Sequence, residues 1–273
     1  MAAMRFDMHT HTLYSFDCET PLKKVVSSAV RAGLSGVAIT DHCDFGAEER
    51  PDREEKTLAS IKEAKEQSER MLGKLYVGVG LELGQPLHDV ERADKFIDSL
   101  DVDIVLGALH NTRYGADFYE LRKDPDVILD DAFTHYFQEV LDMVKWGRFD
   151  VLAHLTYPYR YEYVSKIDDV PPIYKYTDIL REIFTHMAHK GIALEVNVSG
   201  PCRYGEGSLV MPSLQELKLY RECGGEFVTI GSDAHEARHV GGAIDLGMEL
   251  ALAAGIEWQA VFKKRHPTLL PLR

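Results

Sequence analysis

The sequence predicts an α/β fold in which seven parallel strands, each followed by a helix, close into a distorted (β/α)7 barrel of the TIM-like kind. Three observations carry that prediction. Short apolar, β-branched runs alternate with longer segments of helical period, the pattern of βαβ units and a parallel sheet. The chain has 273 residues and is 45% hydrophobic, enough to fill one large core. Metal-binding residue types follow strand after strand, and a parallel barrel gathers the residues after its strands at one face. An open doubly wound sheet is the architectural alternative.

The strands are read at Arg5 to Met8, Gly36 to Ile39, Leu75 to Leu81, Asp103 to Leu106, Asp150 to Ala153, Ile192 to Val196 and Glu226 to Ile230. Helices are expected between them, at about 21–32, 54–72, 89–99, 127–146, 173–190, 212–223 and 240–254. Thr20 ahead of Pro21 offers a capping hydroxyl before a first-turn proline, and Pro212-Ser213 opens another helix in the same manner. No internal repeat, low-complexity tract or Gly/Ser linker divides the chain, so residues 1–273 are read as a single domain.

Composition removes several function classes. With 44 acidic against 31 basic residues the net charge is -13, which argues against a general affinity for nucleic acid. Cys18, Cys43, Cys202 and Cys223 form no CxxC pair, so neither a disulfide framework nor a thiolate zinc site is expected. The start MAAMRFDMHTH turns polar too early for a signal peptide, and no apolar run approaches the ~18 residues of a membrane helix. The reading is of a cytoplasmic protein with no membrane partner and an unspecified oligomeric state.

The residues that end the strands carry the chemistry. They are His9 and His11, then Asp41 and His42, Glu82, His110, His154, Asn197, and finally Asp233 and His235. Six of the 12 histidines stand in such places, where an even spread would put roughly one. Imidazole and carboxylate together suit Zn, Mn or Fe, and a cluster of about nine such groups exceeds the needs of one four- to six-coordinate ion. Two or three divalent ions are therefore implied, with Glu82 able to bridge a pair. Side chains alternate along an extended strand, so His9 and His11 face the same side. Asp17 has a competing reading as a cap of the turn before the Pro21 helix. His186 and His189 read as helix surface, while His88, His135, His239 and His266 show no convergence.

In order along the chain stand DMHTHTLYSFD, AITDH, GLELG, LGALHN, VLAHLTYPYR and TIGSDAH. This series resembles the polymerase and histidinol phosphatase (PHP) superfamily, and within it the monofunctional histidinol-phosphatase group. The resemblance implies the PHP fold, a di- or trinuclear site, and as ligands His9, His11, Asp17, His42, Glu82, His110, His154, Asp233 and His235. Asp17 stands where some relatives have histidine. ALHN replaces the hydrophobic residue or phenylalanine that commonly follows the histidine in related phosphatases, which bears on substrate rather than on catalysis.

The resemblance further implies hydrolysis of a small phosphate monoester, with L-histidinol phosphate and histidine biosynthesis first, and nucleotides or oligonucleotide ends as the alternative. Water attacks such an ester in line while charge on the leaving oxygen is neutralised, needs that clustered divalent ions meet. Glu82, Asp233 and His235 are the expected catalytic groups, the latter two as candidates for relaying a proton to the leaving alkoxide. A phosphoryl group normally meets the planar fork of arginine. Arg160 and Arg203 lie where phosphatase relatives carry substrate-binding arginines, and Arg113, just past His110, is a third candidate. The loop LTYPYRYEYV holds four tyrosines, an amphipathic wall for a small polar ligand.

Amidohydrolases, which cleave C-N bonds, share the HxH start and the terminal Asp, but they usually bridge two metals with a carboxylated lysine. No strand here ends in lysine. A metal-binding protein without activity fits less well, since every ligand position is filled.

Overall fold

Each apolar run expected to be a strand is one, since runs apolar on both faces persist as strands where both faces are covered. They are β1 (Phe6–Asp7), β2 (Gly36–Ile39), β4 (Tyr76–Gly84), β5 (Ile104–Ala108), β6 (Val151–Leu152), β7 (Ala193–Asn197) and β8 (Phe227–Gly231). Three further strands are additions to the sequence reading: β3 (His42–Asp44), β9 (Trp258–Lys263) and β10 (His266–Pro271). The computed structural model describes residues 3–46, 51–113, 118, 129–160, 170–205 and 207–273.

Parallel pairing runs β1-β2-β4-β5-β6-β7-β8. The ring closes where Met8 N donates to Ile230 O at 2.8 Å and Asp233 N to His9 O at 2.9 Å, beside a parallel bridge from Thr10 to Ala234. Closure excludes the open doubly wound sheet. The barrel is distorted at β4, whose first half pairs with β2 and whose second half pairs with β3, putting His42 opposite Glu82 and Asp44 opposite Gly84.

The helices are α1 (Leu22–Arg31), α2 (Arg53–Arg70), α3 (Val90–Ser99), α4 (Leu129–Trp146), α5 (Thr177–Lys190), α6 (Ser199–Tyr204), α7 (Leu214–Glu222) and α8 (Ile244–Ala253). They pack on the outside of the barrel, as α1 does through Leu22, Val25, Val26 and Ala29, one stripe at helical spacing. Two helix starts differ from expectation. Pro21, with no side-chain cap, precedes α1, and the Thr20 hydroxyl instead donates to His235 O at 3.0 Å, tying the first loop to the last. The expected helix at 173–190 is split into a tight 3-10 turn at Ile173–Tyr176 and α5. Pro212-Ser213 opens α7 as expected, with Ser213 as its cap and Glu216 completing a capping box that the sequence reading does not include, and residues 127 and 128 lie outside the described residues.

A second core fills the barrel itself. Met8, Ala38, Leu106, Val151 and Ala153 meet there, and Ala260 and Phe262 of β9 close its floor. The β9–β10 hairpin turns at Lys264 and Arg265, both with positive φ (48° and 65°). Asp103 holds that turn, accepting from Lys264 N at 3.1 Å through Oδ1 and from Arg265 N at 2.9 Å through its carbonyl. All four cysteines are free, and no described helix is long and apolar enough to cross a membrane.

Candidate metal centre

With the floor plugged, only the C-terminal face of the barrel is open, and the nine expected ligands meet there. Glu82, at the end of β4 and fully buried, is their hub. Its Oε1 lies 2.8 Å from His154 Nε2 and 3.3 Å from His110 Nε2. Its Oε2 lies 2.8 Å from His42 Nδ1, 3.4 Å from His9 Nε2 and 3.5 Å from His11 Nε2. The two oxygens thus face different histidines, the arrangement of a carboxylate that bridges two cations. Asp233 Oδ1 extends the cluster, 3.4 Å from both His11 Nε2 and His235 Nδ1. Asp17 completes it from the first loop, 3.1 Å from His235 Nε2 and 3.6 Å from His42 Nε2.

Three overlapping groups have ligand atoms within 4.8 Å of one another: His11, His42 and His235; His9, His11 and Asp233; and His42, Glu82 and His110. The donor set fits divalent ions. Imidazole nitrogens of His9 and His11 face each other at 3.0 Å, and Glu82 Oε2 and His42 Nδ1, though 2.8 Å apart, are buried without the alignment of a hydrogen bond. Buried polar groups are normally satisfied, so such atoms mark a place for a ligand that the protein does not itself supply. His154 and Asp233 hold positive φ (31° and 50°), a conformation costly for residues with a side chain and common at functional sites.

The electrostatics are those of ligands that hold protons in place of cations. Burial disfavours charge on His9 and His42, yet the carboxylates outweigh it, chiefly Glu195 for His9 and Glu82 for His42, and hold both imidazoles well above their ordinary value. Against the same burial, Glu82 and Asp44 push His110 up to about 9. Burial and the neighbouring His235 and His42 drive His11 well down, and burial also lowers His154. Glu82 and Asp233 stay far below the carboxylate range, because nearby cationic groups outweigh their burial.

Seven of the ligands, all but His9 and His11, border a cavity of about 320 Å³ that is also lined by Phe16, Asp44, Asn111, Tyr157, Arg160 and Arg203. Among the described residues lining it there is no lysine. Arg160 Nη2 donates to Asp233 Oδ2 at 2.8 Å, and its guanidinium lies 5.1 Å from the Tyr157 ring centre. Arg203 Nη2 donates to Asp233 O at 2.6 Å and lies 2.9 Å from His235 Nδ1. Arg113 is not brought to this cavity: its guanidinium turns to Glu139 (3.5 Å) and Asp142 (3.2 Å) on α4, because that pair of carboxylates lies on the outer side of the loop. Asp41 is likewise structural, accepting from Thr12, Ser15 and Ser60. Of the four loop tyrosines, Tyr157 lines the cavity, Tyr159 is buried with its hydroxyl on Pro171 O, and Tyr161 and Tyr163 lie outside the described residues.

Sequence reasoning missed two buried carboxylates at the site. Asp44 enters because β3 extends the pairing with β4, placing Oδ2 3.6 Å from His110 Nδ1; the alternation in His42-Cys43-Asp44 was the available signal. Glu195 lies within β7, two residues before its end at Asn197, and contacts His9 Nδ1 at 2.6 Å. Asn197 donates to Glu195 Oε2 at 3.1 Å and does not join the cluster.

Comparison with known proteins places this geometry in a lineage. Residues 7–199 match the family model described as PHP domain. The chain is 28% identical over 265 residues to a probable histidinol-phosphatase of Clostridium acetobutylicum, covering 96% of this chain and 98% of that protein. It is 28% identical over 268 residues to a histidinol-phosphatase of Lactococcus lactis subsp. lactis, covering 94% of each. Its fold superposes with a TM-score of 0.78 and 24% identity on the crystal structure of histidinol phosphate phosphatase from Lactococcus lactis subsp. lactis complexed with zinc, L-histidinol and phosphate, covering 98% of this chain and all of that one.

Proposed function

Because the chain belongs to the PHP domain family, we propose that it is a phosphoric monoester hydrolase that converts L-histidinol phosphate to L-histidinol and phosphate. The observation that carries this reading is the position of Asp233. One of its oxygens faces His11 and His235, and the other accepts from Arg160, so the metal-binding groups and a phosphate-binding cation meet at a single carboxylate.

Two or three divalent ions, Zn, Mn or Fe, would be held by His9, His11, Asp17, His42, Glu82, His110, His154, Asp233 and His235. When bound, they supply positive charge at the phosphoryl oxygens and acidify water. The rest falls to the chain's own residues. Arg160 and Arg203, at the cavity wall, present N–H donors to the phosphoryl oxygens and fix the ester in orientation. Tyr157 stacks under Arg160 and shields it from water, which strengthens its pull on an anion. In a centre of two ions that leaves His235 unligated, this residue of the cavity wall would carry a proton to the leaving alkoxide. Tyr157, buried, and Phe16, half-exposed and stacked on His42, give the cavity aromatic walls that suit the flat ring of a small substrate.

In the same reading residues 1–273 form one cytoplasmic hydrolase domain, supported by the hairpin that closes the barrel floor. The test is metal analysis of the purified protein together with phosphate release from L-histidinol phosphate, nucleotides and short oligonucleotides. Selective turnover of L-histidinol phosphate is expected. Preferential release from nucleotides or oligonucleotides would move the chain to another substrate within the family, and a metal-bound protein inactive on the whole panel would remove the phosphatase reading.

A further inference from the structure

One fully enclosed acidic group at the site is not among the nine expected ligands. Glu195, 1% exposed on β7, accepts three hydrogen bonds. His9 Nδ1 donates to its Oε1 at 2.6 Å, while its Oε2 receives His154 N at 2.9 Å and Asn197 Nδ2 at 3.1 Å. The chain of donors continues outward. Asn197 Oδ1 accepts from the Ser199 hydroxyl at 2.6 Å, and Ser199 Oγ accepts from Arg160 Nη2 at 3.1 Å. Every donor in the series points toward Glu195. Gly231 on the adjacent strand makes room, since a Cβ there would overlap Glu195 Oε1 and lie 2.5 Å from His9 Cβ.

We propose that Glu195 is a positioning residue that sets the metal-binding tautomer of His9, pins the backbone of His154, and, through Asn197 and Ser199, aligns Arg160 with the metal centre. The proposal rests on the metal-dependent phosphatase reading above. With Nδ1–H committed to Glu195, the free lone pair of His9 is on Nε2, the nitrogen 3.4 Å from Glu82 Oε2. The His154 N–H bond matters for a different reason. His154 holds a positive φ of 31°, and a fixed partner on its amide keeps that conformation, and hence the ring, in place. One carboxylate therefore orients ligands that follow two strands, together with the arginine that shares the loop of one of them.

The experiment compares the wild-type chain with Glu195→Gln and Ser199→Ala, using Zn²⁺ alone as the probe in chelator competition, followed by kinetics on L-histidinol phosphate. Glutamine keeps the volume but presents an amide that favours the wrong tautomer of His9, so zinc affinity should fall roughly 10- to 100-fold while the circular dichroism of the metal-free protein is unchanged. Ser199→Ala should leave zinc affinity at the wild-type value and raise KM with little change in kcat, because it removes the hydroxyl that joins Arg160 to Asn197 and leaves the bonds from Glu195 to His9 and His154 in place. Wild-type zinc affinity in Glu195→Gln overturns the proposal, and an unchanged KM in Ser199→Ala overturns its arginine arm. If Glu195→Gln does not fold, Asn197→Ala decides: it should weaken zinc and raise KM together, and neither change overturns the relay. A wild-type chain that binds no zinc defeats the metal-centre reading and the relay with it, whereas a zinc-binding wild type with an indifferent Glu195 defeats the relay alone.

Discussion

Glu82 Oε1 lies 2.8 Å from His154 Nε2, although the two residues are 72 apart in the sequence. Glu82 ends β4 and His154 follows β6, so the contact exists only because the barrel brings the two strand ends to one face. The same carboxylate reaches His42 through its other oxygen. Glu82→Ala is therefore expected to reduce phosphatase activity on the order of 10³-fold or more and to lower bound metal, with the far-UV circular dichroism retained. His154→Ala and Asp233→Ala should behave alike. Full activity in any of the three, measured with metal content by elemental analysis, would remove that residue from the proposed centre.

Arg160 divides its donors between Asp233 and Ser199 and contributes no ligand atom to the His/carboxylate groups. Arg160→Ala should raise KM for the phosphate ester by about 10- to 100-fold, the range of a lost hydrogen bond to a charged partner, and leave metal content near the wild-type value. Steady-state kinetics decide it. An unchanged KM would take Arg160 out of substrate recognition.

Metal binding should release protons. His9 and His42 titrate well above their ordinary value in the metal-free protein and His110 at about 9, so at pH 7 all three hold a proton that a divalent ion must displace. The sign follows directly: zinc affinity rises with pH through the neutral range and falls toward pH 6. Titration calorimetry in two buffers of different ionisation enthalpy should register more than one proton released per protein at pH 7. Affinity independent of pH between 6 and 8 would contradict the electrostatics described for the centre.

Phe262, 1% exposed, fills the floor of the barrel opposite the open face. Phe262→Ala should lower stability by about 3–5 kcal/mol, the usual cost of truncating a buried phenylalanine. Urea unfolding measures it. Because the ring touches none of the ligands, zinc stoichiometry in the folded variant should stay at the wild-type value, and a loss of zinc would show that the floor also shapes the site.

Much of this protein could be read from its residues in order. Seven strands, the helices between them and eight of the nine site residues follow from local rules, because strand periodicity and the residue types at strand ends are local properties, whereas Asp17 in the first loop comes from the resemblance to PHP motifs. The C-terminal hairpin was not legible for an equally physical reason. Its turn is Lys264-Arg265, without the Asn-Gly or Asp-Gly that favours positive φ, and the conformation is held instead by Asp103 and by Arg265 reaching Asp150 at 2.6 Å. Thr20 likewise satisfies the capping pattern but bonds His235, 215 residues away.

At the centre, the sequence alone determined which residue types would gather and at which face, since strand ends of a parallel barrel must meet. It could not determine which carboxylate would sit behind which ligand. In ALEVN, Glu195 looks like any polar residue of an alternating strand, and it acquires its role only from His9, 186 residues away. Arg113 and Arg160 both follow strand ends, yet α4 offers one of them a pair of carboxylates outside the cavity and Asp233 draws the other in. Those choices depend on distances between elements remote in the chain, and closure of the barrel is what sets them.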